Sequence, residues 1–370
     1  MKRLLLAAVA ALTLVPAAQA GPPPVTARSY LVLNASTGEV LAGRDVHARV
    51  PVASITKLMT VLVALGRSDP SKQITVDEDA ADVGESTVHL RSGERLSLSD
   101  LIEAALIQSA NDAADAIADG WGDRDAFVAA MNRRARAMNL GDTHFVRPDG
   151  LDTPGHVSSA WDVTRLAQAA MREPIVRETV RQRTAVIAGG RRLHTWNDLL
   201  GSFPGLVGVK TGHTSAAGWC EVAAAREPGT TIYATILGSP SRSQRNADLA
   251  ALLRWGMSRY RVARVIQRAR PYAVAEVGYG RAPLALVAPS NAVRAVRQGR
   301  QLVERVVAAT AVDLPVRAGA PLGRVEVYER GRIVAVRPLV ASRSIERPGA
   351  VARARFYANR TLKHVWGWFS

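Results

Sequence analysis

Three short motifs constrain this chain more than any bulk property. Ser54-Ile55-Thr56-Lys57, Ser109-Ala110-Asn111 and Lys210-Thr211-Gly212 follow one another along 370 residues. After Pro51-Val52-Ala53, the apolar residues from Ser54 to Leu65 recur at helical spacing until Gly66, which predicts a helix opening at Ser54. On such a helix Ser54 and Lys57 are neighbours on one face. The second motif follows a helical run, and the third closes a predicted strand over Val207 to Lys210. Bringing all three to one place requires a helical cluster folded back beside a sheet.

The rest of the pattern agrees. Ser29 to Asn34 reads as a strand, Ser36 to Glu39 as a turn and Val40 to Ala42 as the returning strand. Leu98 to Ala118 and Arg124 to Met138 read as helices, Gly218 to Ala225 and Thr231 to Gly238 as strands, and Asn246 to Tyr260 as a closing helix. Strands at both ends with helices between predict an α+β domain over residues 25–262, a helical cluster on an antiparallel sheet. Residues 270–345 are β-rich with Pro and Gly turns, including a hairpin of Gly323 to Tyr328 and Ile333 to Val336 around Gly331, and predict a small β domain.

Residues 347–370 predict an amphipathic helix: Val351, Ala354, Ala358, Leu362, Val365, Trp366 and Phe369 share one face, and Arg353, Arg360, Lys363 and His364 the other. Arg355 and Phe356 break the pattern. Terminal aromatics opposed by basic residues suit a helix lying in a membrane interface.

At the other end, Lys2 and Arg3, the apolar run Leu4 to Val15 and Ala18-Gln19-Ala20 have the layout of an export leader over residues 1–20. An exported chain with one cysteine, Cys220, forms no internal disulfide, so its stability must come from packing. The net charge of +16 is uneven: residues 259–370 hold 21 basic and 6 acidic side chains. The basic C-terminal stretch suits an anionic membrane or wall polymer. Export and the lack of any recognition module argue against nucleic acid. The seven histidines form no paired metal-ligand pattern, which disfavours a zinc peptidase.

Serine is a poor nucleophile until a neighbouring base takes its proton, and a lysine does so only if its pKa is lowered. The chain has five lysines against 43 arginines. Arginine therefore serves most positions that need only positive charge, yet Lys57 and Lys210 both stand in the motifs. Arginine cannot give up its proton, and a lysine can.

The ordered triplet matches the signature of β-lactamases and penicillin-binding proteins. More closely, Ala53 to Thr60, Gln108 to Ala113, Asp149-Gly150-Leu151-Asp152 and Lys210 to Thr214 resemble the low-molecular-mass penicillin-binding proteins, serine-type D-alanyl-D-alanine carboxypeptidases of the peptidase S11 family. The resemblance spans Ser29 to Tyr260. It implies a β-lactamase/transpeptidase-like catalytic fold, removal of the terminal D-alanine from peptidoglycan stem peptides ending in D-Ala-D-Ala, and covalent inhibition by β-lactam antibiotics. Ser54 would be acylated, Lys57 would accept its proton, and Ser109 with Lys210 would relay a proton to the leaving D-alanine. Asn111 would bind the peptide amide and Thr211, beside Gly212, the terminal carboxylate. The N–H groups of Ser54 and His213 would form the oxyanion hole, with Gly150 and Leu151 in a loop lining the site. Family members often carry histidine where this chain has Asp149, which reads here as a turn residue. No cofactor is implied. The place of action would be outside the cytoplasm, at the outer face of the cytoplasmic membrane.

Three other readings share these residues. A class A β-lactamase adds a glutamate-bearing loop between the second and third motifs, and residues 140–170 contain no glutamate. A D,D-endopeptidase differs only in what leaves. A penicillin-binding wall module without turnover would be expected to have lost its nucleophile or base.

Overall fold

The computed structural model of the chain describes residues 21–366, so the leader expected over 1–20 and the last four residues of the expected terminal helix, Phe369 among them, lie outside the described residues. The chain divides into two compact units, Met1–Ser258 and Arg259–Ser370.

The first unit is built on a five-stranded antiparallel sheet. Its strands run in the order Glu39–Arg44, Ser29–Asn34, Thr230–Ser239, Gly218–Glu227 and Leu206–Thr214. The two chain ends of the unit therefore meet in the middle of the sheet, and Leu206–Thr214 is left as an edge.

Both faces are covered: successive side chains of a strand point to opposite faces, and every residue of Ser29–Asn34 is buried. On one face Gly256, in helix Arg242–Met257, packs so closely on Ile232 and Val32 that a Cβ there would come within 2.8 Å of Ile232 Cγ2. On the other, Thr164 of helix Ala160–Ala170 meets Thr235, Oγ1 to Oγ1, at 2.6 Å. Leu31, Leu33, Val222, Tyr233 and Leu237 face this helical side and join the core of helices Lys57–Leu65, Asn111–Asp119 and Arg124–Ala137. Burial on both faces is why Ser29–Asn34 is apolar almost throughout.

Two expected helices differ from those observed. Leu98 to Ala118 is not continuous. Helix Leu98–Glu103, capped by a Ser97/Asp100 box, widens into a π-helical turn at Ala104–Gln108 and stops at Ser109, where φ is 65° and ψ 26°. That left-handed residue redirects the chain before helix Asn111–Asp119, a break that helical apolar spacing on both sides conceals. The closing helix is Arg242–Met257 rather than Asn246 to Tyr260: Ser241 Oγ caps it by accepting from Gln244 N–H at 3.1 Å, and its polar first turn hid the start. Tyr260 already belongs to strand Tyr260–Ile266.

The second unit holds a six-stranded sheet and a two-stranded ribbon, Tyr260–Ile266 with Ala292–Arg297. Its core includes Ile266, Leu284, Leu286, Val325, Val327 and Leu339. The hairpin Pro321–Glu329 with Arg332–Ala341 forms as the sequence suggests. Helix Ala350–Trp366 closes the chain, and Val351 on its apolar face is 84% exposed. Phe356, which broke the amphipathic pattern, is turned onto Tyr279, with ring centroids 5.7 Å apart. No helix of the described residues is long and apolar enough to cross a membrane.

Candidate active site

Ser54 sits in a single 3-10 turn, Ala53–Thr56, that leads directly into helix Lys57–Leu65. Three residues per turn stack Ser54 and Lys57 one above the other, and Lys57 Nζ stands 2.8 Å from Ser54 Oγ. The turn is forced from both sides. Ala53 has a positive φ of 50°, a costly backbone for a residue with a side chain. Opposite it, Gly212 comes so near that a Cβ would lie 2.9 Å from the Val52 carbonyl oxygen and 3.1 Å from Ser54 N. Gly212 thus lets the edge strand approach the nucleophile's backbone.

Lys57 is fully buried, and its nitrogen also donates to Asn111 Oδ1 at 2.6 Å and to the Asp149 carbonyl at 2.7 Å. Burial lowers its pKa to about 8, against the opposing pull of Asp149, Asp115 and Asp112. Lys210, also buried, donates to Ser109 Oγ at 2.8 Å and to the Thr211 carbonyl at 2.9 Å. Burial first, then the charge of Lys57, holds Lys210 well below the usual lysine range. The left-handed conformation of Ser109 belongs to this contact, because it stands at the break between two helices with its hydroxyl on Lys210. The site is therefore two hydroxyl–amine pairs with two depressed amines, and Asn111 at the start of its helix holds the amine of the first, its own Nδ2 donating to the Gly84 carbonyl at 3.0 Å.

Residues 147–151 close the floor. Arg147 makes a bidentate pair with the buried Asp149 carboxylate, at 2.6 and 2.5 Å, and Leu151 N–H donates to the same carboxylate at 2.9 Å. Asp149 is thus more than the turn residue expected of it. At Gly150 φ is +89°, and a Cβ would fall 2.1 Å from the Ala53 carbonyl oxygen, so only glycine fits. Below, His156 Nδ1 accepts from Val146 N–H at 3.1 Å, which leaves its Nε2–H to donate to Thr56 Oγ1 at 2.8 Å. Burial lowers the His156 pKa to about 4 and keeps the ring neutral.

Ser54, Ser109, Asn111, Leu151, Thr211, Gly212 and His213 line one cavity of about 190 Å³. Lys57, Lys210 and Gly150 stand directly behind its wall. Sequence reasoning missed the cavity's five other members, Glu85, Ser86, Trp196, Trp219 and Arg245. Trp219 stacks on His213 with ring centroids 4.0 Å apart. Arg245 is almost fully buried, 3.0 Å from Glu221 Oε2, with its guanidinium 5.6 Å from the Trp219 ring. In a chain so rich in arginine, nothing local distinguishes Arg245 from a surface residue.

Comparison with known proteins bears on this geometry. The family model of the D-alanyl-D-alanine carboxypeptidases, peptidase S11, matches residues 16–241. The chain belongs to this family. It is a serine-type carboxypeptidase with the α+β penicillin-binding-protein fold and an added β domain. D-alanyl-D-alanine carboxypeptidase DacD of Salmonella typhimurium is 30% identical over 353 residues, which cover 91% of this chain and 90% of that protein. The crystal structure of penicillin binding protein 6B from Escherichia coli superposes with a TM-score of 0.66 at 28% identity, covering 87% of this chain and 97% of that one. The Streptomyces K15 DD-transpeptidase structure gives a TM-score of 0.61 at 29% identity, covering 65% of this chain and all of that one.

Proposed function

We propose that this carboxypeptidase removes the terminal D-alanine from peptidoglycan stem peptides through an acyl-enzyme on Ser54. The observation that carries the reading is the 2.8 Å contact of Ser54 Oγ with a buried Lys57 whose pKa is lowered to about 8. Neutral Lys57 takes the Ser54 proton as Oγ attacks the carbonyl carbon of the penultimate D-alanine. The N–H groups of Ser54 and His213 hold the resulting oxyanion. As the C–N bond breaks, Ser109, backed by Lys210, passes a proton to the departing amine. Water then attacks the ester, and Lys57 again serves as base. Asn111 meets the peptide amide, and Thr211 with Arg245 holds the terminal carboxylate, for which Arg245 supplies the positive charge. Gly150 and Leu151 shape the loop beside the acyl group. No step calls for a cofactor. A β-lactam acylates the same hydroxyl.

The same reading divides the chain into a leader (1–20), a catalytic domain (25–262), a small β domain (270–345) and an anchoring helix (347–370). It places the mature protein outside the cytoplasm, held peripherally at the membrane's outer face by the basic, amphipathic terminal helix.

Free D-alanine released from a peptide ending in D-Ala-D-Ala tests this. The purified protein should release it, and Ser54→Ala and Lys57→Arg should abolish release. No release from a folded, penicillin-labelled protein would move the assignment to an endopeptidase or a binding-only relative.

A further inference from the structure

Besides His213, the catalytic cavity is lined by one cationic side chain, Arg245, and one anionic side chain, Glu85. The carboxypeptidase reading uses Arg245 for the terminal carboxylate and leaves Glu85 without a task. The Glu85 carboxylate makes no hydrogen bond and no ion pair among the described residues.

The backbone that presents it is unusual and firmly held. At Glu85 φ is 65°, in the left-handed region that a residue with a side chain rarely adopts. Both of its neighbours are fastened to residues 108–111. Asn111 Nδ2 donates to the Gly84 carbonyl at 3.0 Å, Asn111 N–H to the Ser86 carbonyl at 2.7 Å, and Ser86 Oγ to the Gln108 carbonyl at 3.1 Å. These bonds offset the cost of the left-handed residue, and none of them uses its side chain. Trp196 Nε1–H donates to the same Gln108 carbonyl at 2.9 Å, so the indole and the Glu85 turn are pinned to one oxygen.

The place of the turn decides which part of the substrate it meets. The leaving residue's carboxylate goes to Thr211 and Arg245, on strand Leu206–Thr214 and helix Arg242–Met257. The amide that precedes the acylated D-alanine goes to Asn111, on the wall to which the Glu85 turn is bonded. Just beyond that amide stands the residue before the acylated D-alanine, its Cα about 3.8 Å from the D-alanine Cα. Its side chain is the part of the acyl group nearest Glu85. A carboxylate without a partner, beside an aromatic ring, favours a cation there.

We propose that Glu85 is a specificity-determining residue that reads the side chain before the acylated D-alanine and favours one ending in a free ammonium group. The inference rests on the carboxypeptidase reading and names the substrate class of that site, stem peptides with an uncapped amine at this residue. The carboxylates that act on Lys57 are Asp149, Asp115 and Asp112, and the one that acts on Lys210 is Glu221. Loss of the Glu85 charge therefore falls on binding rather than on either amine.

The test compares Nα-acetyl-Lys-D-Ala-D-Ala with its Nε-acetylated twin on the full mature chain, on Glu85→Gln and on Glu85→Lys. For the unmutated protein KM should be about two- to fivefold lower with the free amine, the worth of a partly exposed ion pair, with kcat alike for the two peptides. High salt should shrink that ratio towards one. Glu85→Gln should bring the ratio to about one at any salt, and Glu85→Lys should invert it. Covalent labelling by benzylpenicillin confirms that each variant is folded. Equal KM values for the two peptides on the unmutated protein, or a ratio that neither salt nor the variants move, overturns the role of Glu85. Release of D-alanine from neither peptide, by protein that benzylpenicillin labels, overturns the carboxypeptidase reading itself.

Discussion

Lys57 Nζ donates a 2.7 Å hydrogen bond to the backbone carbonyl of Asp149, while the Asp149 carboxylate is clasped by Arg147. One residue thus contributes a carbonyl that positions the base and a buried charge that raises its pKa. That charge partly offsets the desolvation that brings Lys57 down to about 8.

A base must be neutral to act, so kcat/KM should rise with pH through about 8 and fall tenfold per unit below it. Asp149→Asn removes a charge that favours protonated Lys57. Its acidic limb should move to lower pH, with a reduced plateau because the Arg147 clasp is lost. A limb that stays in place, or moves up, would contradict the role given to Asp149. The profile of kcat/KM for D-alanine release decides this.

Gly150→Ala would set a Cβ 2.1 Å from the Ala53 carbonyl at a positive φ, against backbone that cannot step aside. The expected cost is about 3 kcal/mol or more in urea unfolding, with acylation of Ser54 lost alongside stability. A variant of native stability and native acylation rate would show that the 147–151 loop does not abut the nucleophile's turn.

Sedimentation with vesicles tests the terminal helix. The full mature chain should pellet with vesicles containing anionic lipid, release at high salt, and stay in solution when truncated after residue 346. Binding that survives the truncation would assign the membrane contact elsewhere.

Much of the fold was legible because it depends on local pattern. The short apolar run of Ser29–Asn34 with its turn and returning strand, the helix from the Ser54 turn to Leu65 and the Gly331 hairpin all follow from spacing and turn residues. The three motifs were legible as chemistry, since serine–lysine spacing on a helix is itself a geometric statement. What escaped was set by tertiary context. Ser109 adopts a left-handed backbone in a run of good helix formers, and no propensity announces it. Asp149 reads as a turn residue because its partner Arg147 and the carbonyl contact with Lys57 exist only once the loop is packed. Arg245 and Trp219 reach the cavity from a helix and a strand whose sequences look structural.

The central claim is that Ser54 forms a covalent acyl-enzyme that water clears slowly when the acyl group comes from a β-lactam. Intact-mass spectrometry after incubation with benzylpenicillin, followed by peptide mapping, measures this directly. The account predicts one penicilloyl group per chain, on Ser54, persisting because residues 140–170 supply no glutamate to activate water. Rapid catalytic turnover of the drug, or a label on any residue other than Ser54, would contradict it.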